Sequence, residues 1–351
     1  MSLLTVLERG VLPLDHARSA GFRLLRQSPL LSVLARKREA RLAVVVTSHA
    51  LLAGGLALLF PVHVFVLGPI LLGVAHVAAD VRYLVLRQQL SRWWRHAIVF
   101  ACGALVALRV AEEAKWLRSP ARLEFALGTS FVLCGVVAAL AAHGRPRRAM
   151  LSASVALGLF LAAASSPLAA RLVLLHAHNL VAIALLFLLF PARVARLIGP
   201  LALVALLSVA LAAGTGYRIT LNFGGAQGFH RHVLEIADWV APSLRADYAI
   251  GITSAYVFLQ SVHYLVWLFL IPQRAQRGEG TLTFAMSARS LLKDFGPIGL
   301  TVVVVLGLGV LCAAVFDAPR AQRTYLSLGM FHAYLELALL SYFWILDKAR
   351  A

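Results

Sequence analysis

Long apolar runs separated by short, basic segments set the pattern of this sequence. A run of about 20 apolar residues is long enough to cross a bilayer as a helix. The pattern predicts an all-α fold: a polytopic transmembrane helical bundle of about ten spans. The predicted spans are 41–60, 62–86, 96–113, 122–142, 149–166, 169–190, 196–213, 249–271, 297–316 and 324–346.

Two segments depart from the spanning pattern. Residues 1–40 alternate leucines with arginines and lysines, which is typical of an amphipathic helix lying on the membrane surface. Residues 214–248 form a long outer loop with several glycines and the amphipathic stretch HRHVLEIADWVAP, which favours a lid or a surface helix. The sequence therefore predicts a membrane-surface segment, 1–40, followed by a single transmembrane domain, 41–351.

Composition agrees with a membrane protein rather than a soluble one. Hydrophobic residues make up 61% of the chain, charged residues 14%, and the mean hydropathy is +0.83. Soluble domains average about 45–50% apolar and about 25% charged residues. The formal net charge of +18 does not indicate nucleic-acid binding, because the basic residues lie between the apolar runs, where membrane lipids are their partners.

The distribution of the basic residues predicts an orientation. Arginine and lysine concentrate in alternate connections, at 87–95, 144–148, 192–196 and 273–293, and in the C-terminal tail. Cytoplasmic loops carry such an excess of positive charge. We therefore expect both termini in the cytoplasm and the chain in an inner membrane of bacterial type. The sequence leaves the oligomeric state open.

Two ionisable residues near the middle of the second span indicate a functional interior. His76 and Asp80 lie four residues apart in GPILLGVAHVAADVRYLVLR, so they project from one face of a helix. An aspartate at the centre of a membrane helix costs about 2.5–3.5 kcal/mol on insertion scales, and intramembrane ionisable groups commonly mark functional sites. A second pair with the same spacing, His332 and Glu336, lies in the last span.

Further polar residues fall at similar depths in other spans. The candidate metal ligands are His49, His76, His176, His178, His263 and His332, and the candidate catalytic or ligand-orienting groups are Asp80, Glu336 and Tyr264. Imidazoles combined with a carboxylate suit iron, manganese or zinc, and two histidines with one carboxylate are typical of non-haem iron. The sequence favours iron and leaves zinc, manganese and copper open.

Each candidate also has a simpler interpretation. An intramembrane histidine often forms a hydrogen bond between helices, and on a regular helix His176 and His178 are about 200° apart, so that both need not face one site. Asp80 could pair with Arg82 or with a loop arginine. His63 and His76 have the spacing of paired haem ligands on a membrane helix. No second helix in the sequence carries a pair with this spacing, so a two-haem cytochrome is not favoured. Several motifs are absent, among them the H-x-x-x-H and H-x-x-H-H boxes of desaturases, H-E-x-x-H, a P-loop and a Rossmann fingerprint.

Three local stretches carry a family resemblance. They are GVAHVAAD around His76, HAHN at 176–179 and FHAYLE around His332. In the spacing and character of these intramembrane histidines, the chain resembles the Brp/Blh-type bacterial membrane β-carotene dioxygenases, iron enzymes that cleave carotene to retinal. The resemblance implies an iron-dependent oxidative cleavage of a lipid-soluble substrate.

Two functions from different classes are consistent with these residues. The first is a membrane-embedded, metal-dependent oxidoreductase that takes a hydrophobic small molecule from the lipid and cleaves, hydroxylates or desaturates it. The second is a proton- or ion-coupled transporter that uses the same histidines and carboxylates as a relay. Metal in the purified protein favours the enzyme, whereas flux across a membrane favours the transporter.

Overall fold

A computed structural model describes residues 3–118, 120–191, 195–223, 227–275 and 283–347. Parts of five predicted features lie outside these residues. They are 1–2 in the membrane-surface segment, 192–194 and 276–282 in two of the basic segments, 224–226 in the outer loop, and 348–351 in the C-terminal tail.

Helices form most of the described chain. The first ten are α1 (Leu3–Gln27), α2 (Pro29–Arg36), α3 (Arg38–Leu59), α4 (Pro61–Asp80), α5 (Arg92–Glu113), α6 (Ala121–Ala141), α7 (Pro146–Ser165), α8 (Pro167–Leu189), α9 (Ile198–Ala212) and α10 (Tyr217–Asn222). A two-residue hairpin, β1 (Gln227–Gly228) and β2 (Arg231–His232), precedes α11 (Val233–Val240), α12 (Ala246–Leu265), α13 (Ile271–Ala275), α14 (Phe284–Gly329) and α15 (Phe331–Leu346).

Eight segments of the described chain are helices long and apolar enough to cross a membrane. Eight is two fewer than the ten predicted spans, and two observations account for the difference. Helix α9 has 15 residues and so is about 22 Å long, shorter than the roughly 30 Å hydrocarbon core. The predicted spans 297–316 and 324–346 lie in one segment, Phe284–Leu346, whose backbone leaves helical geometry at Gly296 and Asp317. The helical bundle is confirmed, and the number of spans stays a prediction.

Helix α12 lies at the centre of the bundle. It packs against α3, α4, α8, α9 and α11. In the segment Ala246–Ala275, which α12 begins, 72% of the most apolar window is buried. Because neighbours surround α12 on nearly all sides, its polar side chains meet other helices rather than lipid.

Small residues let two pairs of helices approach closely. A Cβ atom on Gly135 of α6 would lie 2.8 Å from the carbonyl oxygen of Ala338 in α15. On Gly251 of α12 it would lie 2.6 Å from the carbonyl oxygen of Leu211, at the end of α9. Membrane helices commonly pack through such small residues, because van der Waals contact drives their association. These contacts fix the rotation of α12 and α15 about their own axes.

Charged side chains tie the beginning of α14 to other parts of the chain. The carboxylate of Asp15 in α1 accepts hydrogen bonds from the backbone N–H groups of Phe284 and Ala285, at 2.8 and 3.0 Å. In α14 itself, the Asp294 carboxylate accepts from the Nε of Arg82, at 2.6 Å, and from that of Arg87, at 2.8 Å. Arg82 therefore pairs with Asp294, and the simpler interpretation that it neutralises Asp80 is not what the structure shows.

The described part of segment 214–248 is folded against the ends of α4 and α12. It contains α10, the hairpin and α11, and α11 packs against α12. The Trp239 ring lies 5.5 Å from that of Phe65, and the Phe229 ring lies 5.5 Å from that of His63, between ring centres. The segment thus contains the surface helix that its amphipathic pattern predicts, and this helix sits over one end of the bundle.

Candidate metal centre

Four helices bring one histidine each to a common point. These are His76 on α4, His178 on α8, His263 at the end of α12 and His332 at the beginning of α15. One ring nitrogen from each histidine can be chosen so that all four atoms lie within 4.8 Å of one another. All four residues were predicted from the sequence as metal ligands, and the structure places them together.

The distances between these nitrogens suit one shared ion. His332 Nε2 lies 3.2 Å from His76 Nε2 and 2.9 Å from His178 Nε2. Two ligands at right angles, each about 2.1 Å from a metal, are about 3.0 Å apart, and opposite ligands are about 4.2 Å apart. His76, His263 and His332 are 2%, 1% and 7% exposed, so water reaches them poorly.

A hydrogen bond decides which nitrogen of His332 carries its proton. The Nδ1 of His332 contacts the carbonyl oxygen of Gly329, which can only accept, so this nitrogen is the protonated one. Its Nε2 therefore presents a lone pair toward Nε2 of His178, at 2.9 Å, and toward Nε2 of His76, at 3.2 Å. His178 Nδ1 lies 3.1 Å from Oε2 of Glu336, but within the described residues neither of these two atoms has a hydrogen-bond partner.

Glu336 lies between two of the histidines and a tryptophan. Its Oε1 accepts a hydrogen bond of 2.7 Å from Nε1 of Trp267 and lies 3.8 Å from Nε2 of His263. The carboxylate is fully buried. Ligating histidines usually donate their second N–H to a carboxylate or carbonyl, which fixes the tautomer and raises the basicity of the ligand nitrogen. Glu336 lies 3.1 Å from His178, close to that position, although the contact lacks hydrogen-bond geometry.

Asp80 and Tyr264, the other two predicted catalytic residues, lie next to the histidines without belonging to the four-histidine group. Asp80 is fully buried, and neither of its carboxylate oxygens has a hydrogen-bond partner within the described residues. The Tyr264 ring lies 4.9 Å from the His76 ring, centre to centre. A buried carboxylate without a partner is costly, so this part of the site is built for a charge or donor that the chain does not supply.

The structure does not bring His49 or His176 to the same point. His49 Nε2 lies 3.2 Å from both the carbonyl oxygen and the hydroxyl of Ser261, which is a contact between helices α3 and α12. His176 Nε2 lies 3.0 Å from the carbonyl oxygen of Val240, at the end of α11. As their positions on α8 require, His176 and His178 point in different directions, and only His178 joins the group.

A buried ion cluster supports the neighbouring part of α15. Glu124 of α6, 1% exposed, pairs with Arg109 and lies 3.4 Å from the Nη2 of Arg171. It also accepts a hydrogen bond of 3.3 Å from the hydroxyl of Tyr334, which lies between His332 and Glu336 in the sequence. The sequence pattern did not predict this cluster, although Glu124 is an acidic residue inside a predicted span.

Two residues of the site, Trp267 and Gly329, were not predicted from the sequence. Trp267 follows His263 by four residues, and Gly329 precedes His332 by three, so each lies on the same helix face as a ligand candidate. Helical spacing could have found both. Wide π-helical turns follow the site residues at Val81–Leu86 and Val266–Leu270, and such turns often occur at functional sites.

No family model, curated protein or solved structure matches this chain.

Proposed function

We propose that this chain is an integral-membrane, metal-dependent oxidoreductase whose metal is held by His76, His178, His263 and His332. The substrate class is a lipid-soluble, hydrophobic small molecule. The proposal follows from the position of four imidazoles inside a bundle of apolar helices.

One observation carries the proposal. Four imidazoles from four helices place one ring nitrogen each within 4.8 Å of one another inside the bundle. The Nε2 lone pair of His332 faces Nε2 of His178 at 2.9 Å and Nε2 of His76 at 3.2 Å, and within the described residues neither nitrogen of His263 has a hydrogen-bond partner. Buried polar groups without partners are costly, and a single cation would engage all four imidazoles at once.

The donor set favours iron among the metals that imidazole binds. Imidazole suits zinc, copper, iron and nickel. Zinc with four protein ligands is closed, as in structural sites. Iron commonly takes more than four ligands, so iron held by His76, His178, His263 and His332 would have room for dioxygen. We therefore propose iron, and zinc, manganese and copper are the alternatives that elemental analysis separates.

The two buried acids balance the charge of a divalent metal. Four neutral imidazoles leave its double positive charge unchanged. Glu336 lies against His178, and Asp80 follows His76 by one helical turn. Two carboxylates bring the sum of charges to zero, which matters in a medium where an isolated charge is costly. The proposal would account for an aspartate that has no hydrogen-bond partner within the described residues.

The surroundings favour an apolar substrate that enters from lipid. Iron held by histidines supplies the activation of dioxygen, and the buried helices around it exclude water from the reacting groups. Apolar side chains of α4, α12 and α15, which carry His76, His263 and His332, belong to the hydrophobic core. We propose oxidative cleavage as the reaction, as in the Brp/Blh-type family that the chain resembles, with both termini in the cytoplasm and ten spans.

Nitric oxide tests this proposal, because it binds ferrous iron that has an open position. The full chain is purified in detergent, loaded with ferrous iron without oxygen and exposed to nitric oxide. We expect the electron paramagnetic resonance signal of a high-spin iron–nitrosyl complex. His263→Ala should abolish the signal, and His49→Ala should keep it, because His49 contacts Ser261 rather than the centre.

Two results contradict the proposal. If iron does not bind, the centre does not exist as described. If iron binds but nitric oxide gives no signal, all positions are occupied and the site is structural. In either case, proton flux in liposomes that depends on His332 would favour the transporter instead.

A further inference from the structure

Trp267 is a buried tryptophan close to the candidate metal centre. It lies in the π-helical turn that follows α12, and it is fully buried. Its indole Nε1 donates a 2.7 Å hydrogen bond to Oε1 of Glu336. The other oxygen of the same carboxylate lies 3.1 Å from Nδ1 of His178. Trp267, Glu336 and His178 thus form a continuous chain that ends at the candidate metal centre.

The direction of this chain is fixed by its chemistry. An indole N–H can only donate a hydrogen bond, so it requires an acceptor, and an ionised carboxylate supplies one. With Oε1 held by Trp267, Oε2 lies 3.1 Å from Nδ1 of His178. This contact lacks hydrogen-bond geometry, so the carboxylate acts on His178 through its charge and its closeness. A negative charge beside an imidazole strengthens the binding of a cation to that imidazole.

We propose that Trp267 is a positioning residue for the metal centre: it orients Glu336, and through the charge of Glu336 it sets the metal affinity of the site at His178. This inference rests on the proposed function, since it concerns the same site. It goes further by assigning a role to a residue outside the four-histidine group. The π-helical turn after α12 places the indole of Trp267 against the carboxylate of Glu336 in α15.

The chain offers a matched control in Trp94. This tryptophan is also fully buried, and within the described residues its Nε1 has no hydrogen-bond partner. It packs against Phe131 and Tyr342, with ring centres 5.8 and 6.0 Å away. Trp94→Phe and Trp267→Phe remove the same atoms from equally buried positions. Only the second change removes a donor from Glu336.

The experiment is a titration of the purified full chain with Co²⁺, in competition with a fluorescent chelator. We expect Trp267→Phe to weaken Co²⁺ binding about 10–100-fold, as the loss of outer partners of metal ligands does. It should also shift the visible absorption bands of bound Co²⁺. Trp94→Phe should change neither. Glu336→Gln should weaken binding as well, and adding Trp267→Phe to it should have little further effect, because both changes break one chain.

The outcomes separate this inference from the proposed function. If the native chain binds Co²⁺ and the two tryptophan variants behave alike, Trp267 has no positioning role, and the metal centre stands. If the native chain does not bind Co²⁺, both proposals fall. If Trp267→Phe does not fold, the variant Glu336→Gln, which keeps Trp267, tests the inference instead. Unchanged Co²⁺ affinity and unchanged absorption bands of bound Co²⁺ in Glu336→Gln would overturn the inference.

Discussion

Two apolar segments of this protein have opposite surroundings. Ala246–Ala275, which contains α12, has a peak mean hydropathy of 1.5, and 72% of that window is buried. The most apolar window of Phe284–Leu346 has a mean hydropathy of 2.7 and no buried residue, and it lies in α14, which has none between Ala288 and Ala321. Helix α14 is thus the outer segment, whereas α15, which follows it, is buried in the bundle. Since lipid is as apolar as a protein interior, hydrophobicity does not drive helices together here, and polar groups mark the inside.

The largest difference expected between the two segments concerns packing. Leu270 is fully buried after α12, and Leu306 in α14 is 56% exposed. Leu270→Ala should lower the free energy of unfolding by about 2–5 kcal/mol, because it leaves a cavity. Leu306→Ala should change it by less than about 0.5 kcal/mol. Unfolding of the two variants in mixed micelles measures this, and equal losses would mean that α14 is packed inside an assembly.

Removal of metal should act on the inner segment and not on the outer one. A metal present at about 100 times its dissociation constant stabilises the folded chain by about 2.7 kcal/mol. Chelation should therefore lower the melting temperature of the native chain and of Leu306→Ala alike. His263→Ala, which removes a ligand from the inner segment, should not respond to the chelator. A response that survives in His263→Ala would show that the stabilising metal lies elsewhere.

Two glycines give the smallest expected contrast. A Cβ on Gly251 of α12 would lie 2.6 Å from the carbonyl oxygen of Leu211, and one on Gly309 of α14 would have no heavy atom within 4 Å. Gly251→Ala should cost about 1–3 kcal/mol, since a backbone neighbour must move. Gly309→Ala should be neutral or stabilise by up to about 1 kcal/mol, because alanine favours the helix. Thermal melting of both variants checks the pair; stabilisation by Gly251→Ala would contradict the close approach of α9 and α12.

The sequence predicted the helical class and part of the site because both leave a local signal. Ionisable residues inside apolar runs pointed to His76, His263 and His332. Whether His49 joined them depended on the rotation of α3 about its axis, which contacts with distant helices decide. Its bond to Ser261 joins residues far apart in the chain. Helical spacing left His176 and His178 as alternatives, and only the packing of α8 selects His178.

The central claim is that four helices hold one metal at His76, His178, His263 and His332. Elemental analysis of purified protein tests it most directly, with the native chain, His332→Ala, His49→Ala and His176→Ala prepared side by side. We predict one equivalent of a single metal, iron, in the native chain and in the His49 and His176 variants, and its loss in His332→Ala. Equal metal content in all four proteins, or none in the native chain, would contradict the claim.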